Sequence, residues 1–147
     1  MLSLLKVVDL SLFSPEENNL VILDDLLEEC EANIQIQTLF TVDSHHKNIS
    51  TFFMTQNLFS RGKCFRTISL NCDYFILFKS PRDPSQVHHF SRQVFPTRSK
   101  FFVEAFEDAT SQPYGHLLLD MTQTACENQR VQGNIIKKRA IYTPKNL

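Results

Sequence analysis

Four short apolar runs, each ending at polar residues, constrain the fold of this chain more than any other feature. They occupy residues 20–23 (LVIL), 49–55 (ISTFFMT), 73–79 (DYFILFK) and 116–120 (HLLLD). Runs of this length, rich in β-branched and aromatic residues, are typical of buried strands. A strand that is apolar at every position favours a parallel sheet that is covered on both faces. We therefore expect a β-strand in each run.

Helical signals lie between these strands. Apolar residues recur at intervals of three to five from Leu26 to Phe40, and the polar group 43–48 ends that pattern. The turn signal SPRDPSQ precedes two predicted helices, at 84–95 and 96–109. Strands that alternate with helices predict an α/β domain with a mainly parallel sheet. We expect one domain over residues 1–147, in which residues 121–147 form a polar tail or a last strand.

Composition excludes several classes of protein. Hydrophobic residues make up 42% of the 147 residues and charged residues 21%, which fits a globular domain rather than a disordered or fibrous chain. No window approaches the roughly 18 apolar residues of a membrane span. Lys6 and Asp9 interrupt the apolar N-terminus, and no cleavage site follows, so we expect an intracellular protein without a membrane partner. Nucleus, cytoplasm and virion all fit that expectation.

The cysteines and the charges add two further expectations. The four cysteines form no CxxC pair, and none lies near a His at ligand spacing, so we do not expect a zinc site. Their even number permits disulfides, but nothing else indicates secretion, so we expect reduced, mostly buried thiols. Residues 1–60 carry two basic and nine acidic residues, whereas residues 61–147 carry thirteen basic and seven acidic ones. This asymmetry indicates two working faces. Chance clustering of solvated surface charges is the alternative.

Polar side chains at the ends of the first two strands are candidate site residues. Asp24 and Asp25 end the first strand, and Gln56 ends the second. The helical crossover between these strands predicts that their carboxyl ends are adjacent in the sheet. Ligands in parallel sheets bind beyond the carboxyl ends of the strands. Paired carboxylates there suit Mg²⁺ and the activation of a water molecule, and a polar side chain on the next strand suits contact with a γ-phosphate. A helix N-cap explains either aspartate equally well, and Gln56 is alternatively an ordinary loop residue.

Basic residues follow the second and third strands. Residues 58–72 are expected to form a loop that contains Gly62, followed by a short helix or an irregular stretch. Arg61, Lys63 and Arg66 are expected in the loop after Gln56, and Arg82 in the loop after the third strand. An arginine at this edge can stabilise the charge of phosphoryl transfer or contact a DNA phosphate. Each is alternatively an inert surface cation.

Five strings, in this order and spacing, resemble one family. They are LVILDDLLEE (20–29), SHHKNISTFFMTQNLF (44–59), RTISLNCDYFILFKSPRD (66–83), residues 98–108 and ATSQPYGHLLLD (109–120). Together they resemble the C-terminal half of viral DNA-packaging ATPases of the FtsK–HerA superfamily, in the form carried by poxvirus-like viruses, adintoviruses and Maverick/Polinton transposable elements. The resemblance covers roughly residues 18–145.

This resemblance implies a partial P-loop NTPase (RecA-like) three-layer domain that uses ATP and Mg²⁺. It also implies a homo-oligomeric ring that translocates double-stranded DNA. Asp24 matches the magnesium-associated acid of the Walker B strand, Asp25 the acid that activates water, and Gln56 the sensor. Either Arg66 or Arg82 is the candidate arginine finger.

The chain departs from the family at the phosphate-binding loop. Its three glycines, Gly62, Gly115 and Gly133, cannot form GxxxxGK[ST] or GxGxxG, and no glycine precedes LVILDD. A Walker A loop supplies most of the grip on the phosphates. We therefore expect a fragment or remnant without independent ATP hydrolysis, or a non-catalytic DNA- or partner-binding module derived from such an ATPase. A truncated gene model, a degraded insertion or the product of one exon would each account for the departure.

Overall fold

The computed structural model describes residues 13–26, 30, 34–59, 63–136 and 139–145. The chain divides into two compact units, with the boundary between Asn71 and Cys72. Each unit has its own sheet, so the described residues form a mixed α/β structure. This confirms the α/β class predicted from the alternating patterns.

The first unit is built on a pair of parallel strands. Strand β1 (Asn19–Asp24) runs beside β2 (Ile49–Met54), with Asn19 opposite Ile49 and Asp24 opposite Met54. The crossover contains helix α1 (Ile34–Thr38), a π-helical turn (Leu39–Asp43) and a helical turn α2 (Ser44–His46). Helix α3 (Lys63–Asn71) follows β2. The predicted adjacency of the first two strands is therefore confirmed.

One face of this two-stranded sheet forms the core of the first unit. Val21 and Leu23 are buried, and the ring of Phe53 lies 6.1 Å from that of Phe40 and 6.4 Å from that of Phe65. The opposite face is open: Leu20, Ile22, Phe52 and Met54 are between 46% and 56% exposed. The expectation that these strands are covered on both faces is therefore wrong. The described helices of this unit cover one face only, although the strands are apolar on both.

Two cysteines of the first unit form a disulfide bond. Cys30 and Cys64 are fully buried, and their Cα atoms lie 6.0 Å apart, within the usual range for a disulfide. The bond joins the crossover segment to the first turn of α3. Cys72 and Cys126 are free thiols. The expectation of reduced thiols is thus confirmed for Cys72 and Cys126 and wrong for the buried pair, whose proximity depends on a long-range fold.

The second unit is a four-stranded sheet with a helical hairpin. Its strands are β3 (Tyr74–Phe78), β4 (His116–Asp120), β5 (Val131–Gly133) and β6 (Ala140–Tyr142), arranged in that order. Helices α4 (Ser85–Val94) and α5 (Ser99–Ala109) connect β3 to β4. A 3₁₀ turn (Glu127–Gln129) precedes β5.

All neighbouring strands of the second unit are antiparallel, so the expected mainly parallel sheet is found only in the pair β1–β2. The connections explain the difference. Two helices joined by a short turn bring the chain back to the end of the sheet that it left, so β4 runs opposite to β3. Residues 134–139 between β5 and β6 are too few for a parallel crossover, which needs a dozen residues or more.

Aromatic packing between the helical hairpin and the sheet forms the second core. Phe102 is fully buried, and its ring lies 5.9 Å from that of Phe90, which in turn lies 5.1 Å from Phe75 of β3. Leu117 and Leu119 of β4 are also fully buried. Burying a side chain of this size stabilises a fold by roughly 1.5–3 kcal/mol. This packing fixes α4 and α5 on one face of the sheet.

Candidate functional site

The carboxyl ends of β1 and β2 lie side by side, as the sequence predicts for a site at this edge. Asp24 is the last residue of β1, stands opposite Met54 and is exposed. Strand alternation places its side chain on the open face, with Leu20 and Ile22. The neighbouring strand ends at Met54, two residues before Gln56. A parallel pair with a common end therefore carries the predicted acids and the predicted amide.

A direct contact joins two of these residues. The Gln56 side-chain amide Nε2 donates a hydrogen bond of 3.4 Å to Oδ2 of Asp25. The Asp25 backbone N–H donates to the carbonyl of Met54 at 3.0 Å, which extends the ladder by one residue beyond β1. Both side chains are exposed. The carboxylate predicted to activate water and the predicted sensor therefore form one polar group at the shared strand end.

The backbone at Asp25 has an uncommon conformation. Its φ angle is 53°, in the left-handed region. Asp and Asn are enriched among non-glycine residues with this conformation. Strand β1 ends at Asp24, while the backbone N–H of Asp25 still bonds to the neighbouring strand. The aspartate is thus suited to the turn as well as to the proposed chemistry.

The loop after β2 is ordered by its own side chains, a feature that sequence reasoning missed. The Thr55 hydroxyl donates to the carbonyl of Asn57 at 3.2 Å and accepts from its N–H at 3.1 Å. Oδ1 of Asn57 accepts a 2.8 Å hydrogen bond from the N–H of Phe59. These bonds hold the backbone on both sides of Gln56. The closely spaced Thr and Asn residues in the sequence indicate such a turn, because the side chains of both types bond to nearby backbone groups.

The donor set at this edge fits Mg²⁺ only with additional ligands. Asp24 and Asp25 offer hard carboxylate oxygens, and magnesium in nucleotide sites is commonly held by one or two carboxylates together with substrate phosphates. Across the described ranges, no cluster of three or more His, Cys, Asp or Glu side chains could hold a metal ion. Two exposed carboxylates would therefore need the oxygens of a triphosphate and its water molecules to complete the coordination shell.

The arginine candidates lie in different units. Arg66 is exposed on α3 of the first unit, and Arg82 is exposed in the turn between β3 and α4 of the second. The expectation that Lys63 and Arg66 lie in a loop is wrong. The segment Lys63–Asn71 is helical because Cys64, Phe65 and Ile68 recur on one buried face. Arg61 lies outside the described residues.

The turn that carries Arg82 is organised by its neighbour. Oδ1 of Asp83 accepts hydrogen bonds from the Ser85 hydroxyl at 2.6 Å and from the Ser85 N–H at 3.2 Å. Nε2 of Gln86 donates to Oδ2 at 3.0 Å. Hydrogen bonds to Ser85 and then to Gln86 lower the pKa of the Asp83 carboxyl. This carboxylate fixes the start of α4 and is therefore a structural acid next to the candidate arginine.

Most described cations of the basic half are exposed. Those with exposed side chains are Lys63, Arg66, Lys79, Arg82, Arg92, Arg98, Lys100, Arg139 and Lys145. Arg130 differs, because its guanidinium donates to the carbonyls of Asp120 and Thr122 at 3.0 Å and pairs with Glu127 at 2.7 Å. Lys137 and Lys138, also part of the predicted basic cluster, lie outside the described residues.

A groove of about 400 Å³ lies in the second unit between α4 and α5. Charged side chains of both signs line it, among them Arg92, Lys100, Glu104 and Glu107. None of the predicted site residues lies there. A shallow groove of mixed charge does not select one class of ligand, so the strand-end group at Asp25 and Gln56 remains the candidate site.

No described helix combines the length and the apolar character that a membrane span requires. The chain matches no protein family model, no curated protein and no solved structure at a significant level.

Proposed function

We propose that this chain is a fragment or remnant of a DNA-packaging P-loop ATPase of the FtsK–HerA superfamily. In this proposal β1 is the Walker B strand of a RecA-like domain and β2 is the sensor strand. The resemblance of five ordered strings supports it. The structural observation that carries it is the hydrogen bond between Gln56 and Asp25 at the shared carboxyl end of two parallel strands.

The proposed roles follow from the chemistry of the side chains. Asp24 would hold Mg²⁺, and the carboxylate of Asp25 would orient and deprotonate the attacking water. The Gln56 amide can donate to Asp25 or to a phosphate oxygen, so its bond would change when nucleotide arrives. Arg66 or Arg82 would stabilise charge on the transferred phosphoryl group. When bound, Mg²⁺ would neutralise charge on the β- and γ-phosphates of ATP.

The chain alone should not hydrolyse ATP. Phosphoryl transfer depends mainly on positioning and electrostatic stabilisation, and no Walker A motif occurs in this sequence. Release of phosphate from Mg·ATP should equal the buffer blank, and Asp25→Asn should leave it unchanged. Turnover by the wild-type chain that disappears in Asp25→Asn would contradict this expectation and would require a second phosphate site.

The transcript upstream of the Met1 codon provides the test of the proposal. An in-frame segment that encodes GxxxxGK[ST] would give a longer product that hydrolyses ATP. In that product Asp25→Asn should reduce kcat by about 10²–10⁴-fold, the range for loss of a general acid–base group. Asn tolerates the left-handed backbone at position 25, so the fold should be retained. Full activity of Asp25→Asn in the longer product would contradict the assigned site.

An exposed acid of the same unit offers a matched control. Glu16 is exposed and lies before β1, and Glu16→Gln removes the same charge as Asp25→Asn. It should leave kcat unchanged. A loss in both variants would indicate a general effect of charge rather than a role of Asp25 at the strand end.

The alternative function is a non-catalytic module that binds DNA or a protein partner. The exposed cations of residues 61–147 favour it, since that part of the sequence has thirteen basic and seven acidic residues. Binding to duplex DNA should be independent of sequence and steeply dependent on salt, because phosphate neutralisation releases counterions. Fluorescence anisotropy of a labelled duplex at low and moderate salt measures this. No binding at low salt would exclude the DNA-binding alternative.

The remaining parts of the proposal concern assembly and location. The complete family member would form a homo-oligomeric ring around double-stranded DNA. Such a protein would act inside the cell or in the virion. A nucleus, cytoplasm or virion location is compatible with handling of viral or transposon DNA.

A further inference from the structure

The disulfide bond joins the two connections that leave the carboxyl ends of β1 and β2. Cys30 follows Asp25 by five positions, and its backbone N–H donates a 2.9 Å hydrogen bond to the carbonyl of Leu26. Cys64 follows Gln56 by eight positions and lies in the first turn of α3. The bond therefore links the segment after the candidate acid to the segment after the candidate sensor.

Asp25 and Gln56 thus lie between two cross-links of the first unit. On the strand side, the N–H of Asp25 donates to the carbonyl of Met54 at 3.0 Å. On the other side, the Cα atoms of Cys30 and Cys64 are held 6.0 Å apart. The Gln56–Asp25 hydrogen bond between these fixed points is 3.4 Å long and exposed. A bond of this length contributes little alone, so it depends on what holds the two backbone segments in place.

The same disulfide holds the helix that carries one candidate arginine. Cys64 is fully buried in the first turn of α3, and Arg66 is exposed two positions later. Fixing Cys64 therefore fixes the start of this helix relative to the crossover. The residues of the first unit that the disulfide brings under one constraint include Asp25, Gln56 and Arg66, all of which have roles in the proposed function.

We propose that the Cys30–Cys64 disulfide is a redox control of the strand-end group: it holds Asp25 and Gln56 in contact in the oxidised chain, and its reduction releases them. The inference rests on the proposed function for the role of the group, although the contact itself needs no nucleotide. Disulfides in reducing compartments are usually transient and either catalytic or redox-sensing. A chain that acts inside the cell would therefore meet both states.

The reductant is a dithiol, and the exchange has two steps. One thiolate of the dithiol attacks a sulfur of the disulfide, which breaks the S–S bond, releases one cysteine and forms a mixed disulfide. The second thiolate then attacks the dithiol's own sulfur in the mixed disulfide, which releases the other cysteine and closes a cyclic disulfide. Two electrons and two protons pass to the protein in total. Both cysteines are fully buried, so the exchange requires an opening of the first unit and is slow.

Linkage between the disulfide and the contact provides the test, because coupling between two interactions is reciprocal. The equilibrium between oxidised and reduced chain is measured in dithiothreitol buffers, in the full chain with Cys72→Ser and Cys126→Ser, by alkylation and mass spectrometry. Samples approach equilibrium from both directions. Gln56→Ala removes the donor and should shift the equilibrium towards the reduced chain by about three- to tenfold, as for one hydrogen bond. Gln56→Glu should shift it at least as far, because it places a second carboxylate beside Asp25.

A hydrogen bond at the other end of the same strands is the matched control. Nδ2 of Asn48, just before β2, donates a 2.8 Å bond to Oδ1 of Asn18, just before β1, and both side chains are exposed. Asn18→Ala removes this contact and should shift the equilibrium by less than about twofold, as expected for an uncoupled site. Far-UV circular dichroism of both redox forms checks that each variant is folded.

The outcomes separate control of the strand-end group from general stabilisation. A shift in both Gln56 variants that Asn18→Ala does not show supports the proposal. Equal shifts in Gln56→Ala and Asn18→Ala would overturn it, because the disulfide would then stabilise the first unit as a whole. An unchanged equilibrium in both Gln56 variants would also overturn it. Neither failure bears on the proposed function, which is tested by ATP hydrolysis in the longer product.

Discussion

The Tyr142 hydroxyl donates a 2.5 Å hydrogen bond to the Asp108 carboxylate and thereby ties strand β6 to helix α5. Partial burial, the hydrogen bond to Asp108 and the charge of that carboxylate, in this order, raise the pKa of Tyr142 to about 12. Each of these three causes makes ionisation of the phenol to the phenolate less favourable. The neutral phenol is therefore the form that the fold of the second unit favours.

Replacing this tyrosine should weaken the second unit and change its response to alkali. Tyr142→Phe removes one hydrogen bond to a charged group and should lower the free energy of unfolding by about 1 kcal/mol. In the wild type this contribution is present below pH 10, the ordinary phenol value, and is lost as the pH rises towards 12. The free energy of unfolding in urea should fall between pH 8 and pH 11, and it should fall less for Tyr142→Phe than for the wild type.

Tyr114 provides the control for this substitution. Its side chain is 95% exposed, so Tyr114→Phe should leave both free energies unchanged within about 0.5 kcal/mol. An equal alkaline loss in Tyr142→Phe and wild type would mean that the bond to Asp108 does not contribute to stability.

The buried disulfide predicts the number of reactive thiols. In denaturant without reductant, Ellman's reagent should detect two thiols per chain, from Cys72 and Cys126, and four after reduction. Reduction should lower the stability of the first unit by about 3–4 kcal/mol, since the bond closes a loop of 34 residues. Four reactive thiols before reduction would show that Cys30 and Cys64 are not joined in the isolated protein.

The two free thiols should react at different rates in the folded protein. Burial, and secondarily the charge of Asp73, raises the pKa of the Cys72 thiol, whereas the Cys126 side chain is exposed. Thiolates are the reactive species, so Cys72 should react with iodoacetamide several-fold more slowly than Cys126 at pH 8. Cys126→Ser should remove the fast phase. Asp73→Asn should accelerate the slow phase, and an unchanged rate would show that access alone limits Cys72.

Gly115 should not tolerate a side chain. A Cβ atom at this position would collide with the carbonyl of Ala109 and would lie 2.9 Å from the carbonyl of Gln112. Both obstacles are backbone atoms, which cannot move without distorting the turn into β4. Gly115→Ala should therefore lower the free energy of unfolding by about 1–3 kcal/mol, as overpacked substitutions do. Ser111→Ala, at an exposed position of the same turn, should change it by less than about 0.5 kcal/mol.

Local patterns predicted the elements of this fold better than their arrangement. The apolar runs at 20–23 and 116–120 lie in β1 and β4. Their strand structure was predictable because the apolar content and the length of a run can be read from the segment itself. The direction of β4 depends on the connection through α4 and α5, which returns the chain to the end of the sheet that it left. Cys30 and Cys64 are 34 residues apart in the sequence and are brought together by the packing of the first unit. A local sequence pattern does not predict such a contact.

The candidate site was predicted in position but only partly in detail. A helical crossover makes β1 and β2 parallel neighbours, so their carboxyl ends lie at the same edge of the sheet. Asp24, Asp25 and Gln56 follow from that position. The contact made by Asp25 depends on its φ angle of 53° and on the ordered loop around Gln56, which are consequences of individual turns. Arg66 lies on α3 rather than in the loop after Gln56, because Cys64, Phe65 and Ile68 recur on one buried face.

The contacts of Arg130 also reduce the number of cations that the protein can offer to the phosphates of a nucleic acid. Its guanidinium is held by two carbonyls and by Glu127, and its side chain is only 18% exposed. A phosphate of duplex DNA would have to displace those partners before Arg130 could neutralise its charge. The slope of log K against log salt counts only cations that contact phosphate, at about 0.9 per contact. Arg130 should therefore add nothing to that slope, and the formal charge of the basic half overstates the number of phosphates that it can bind.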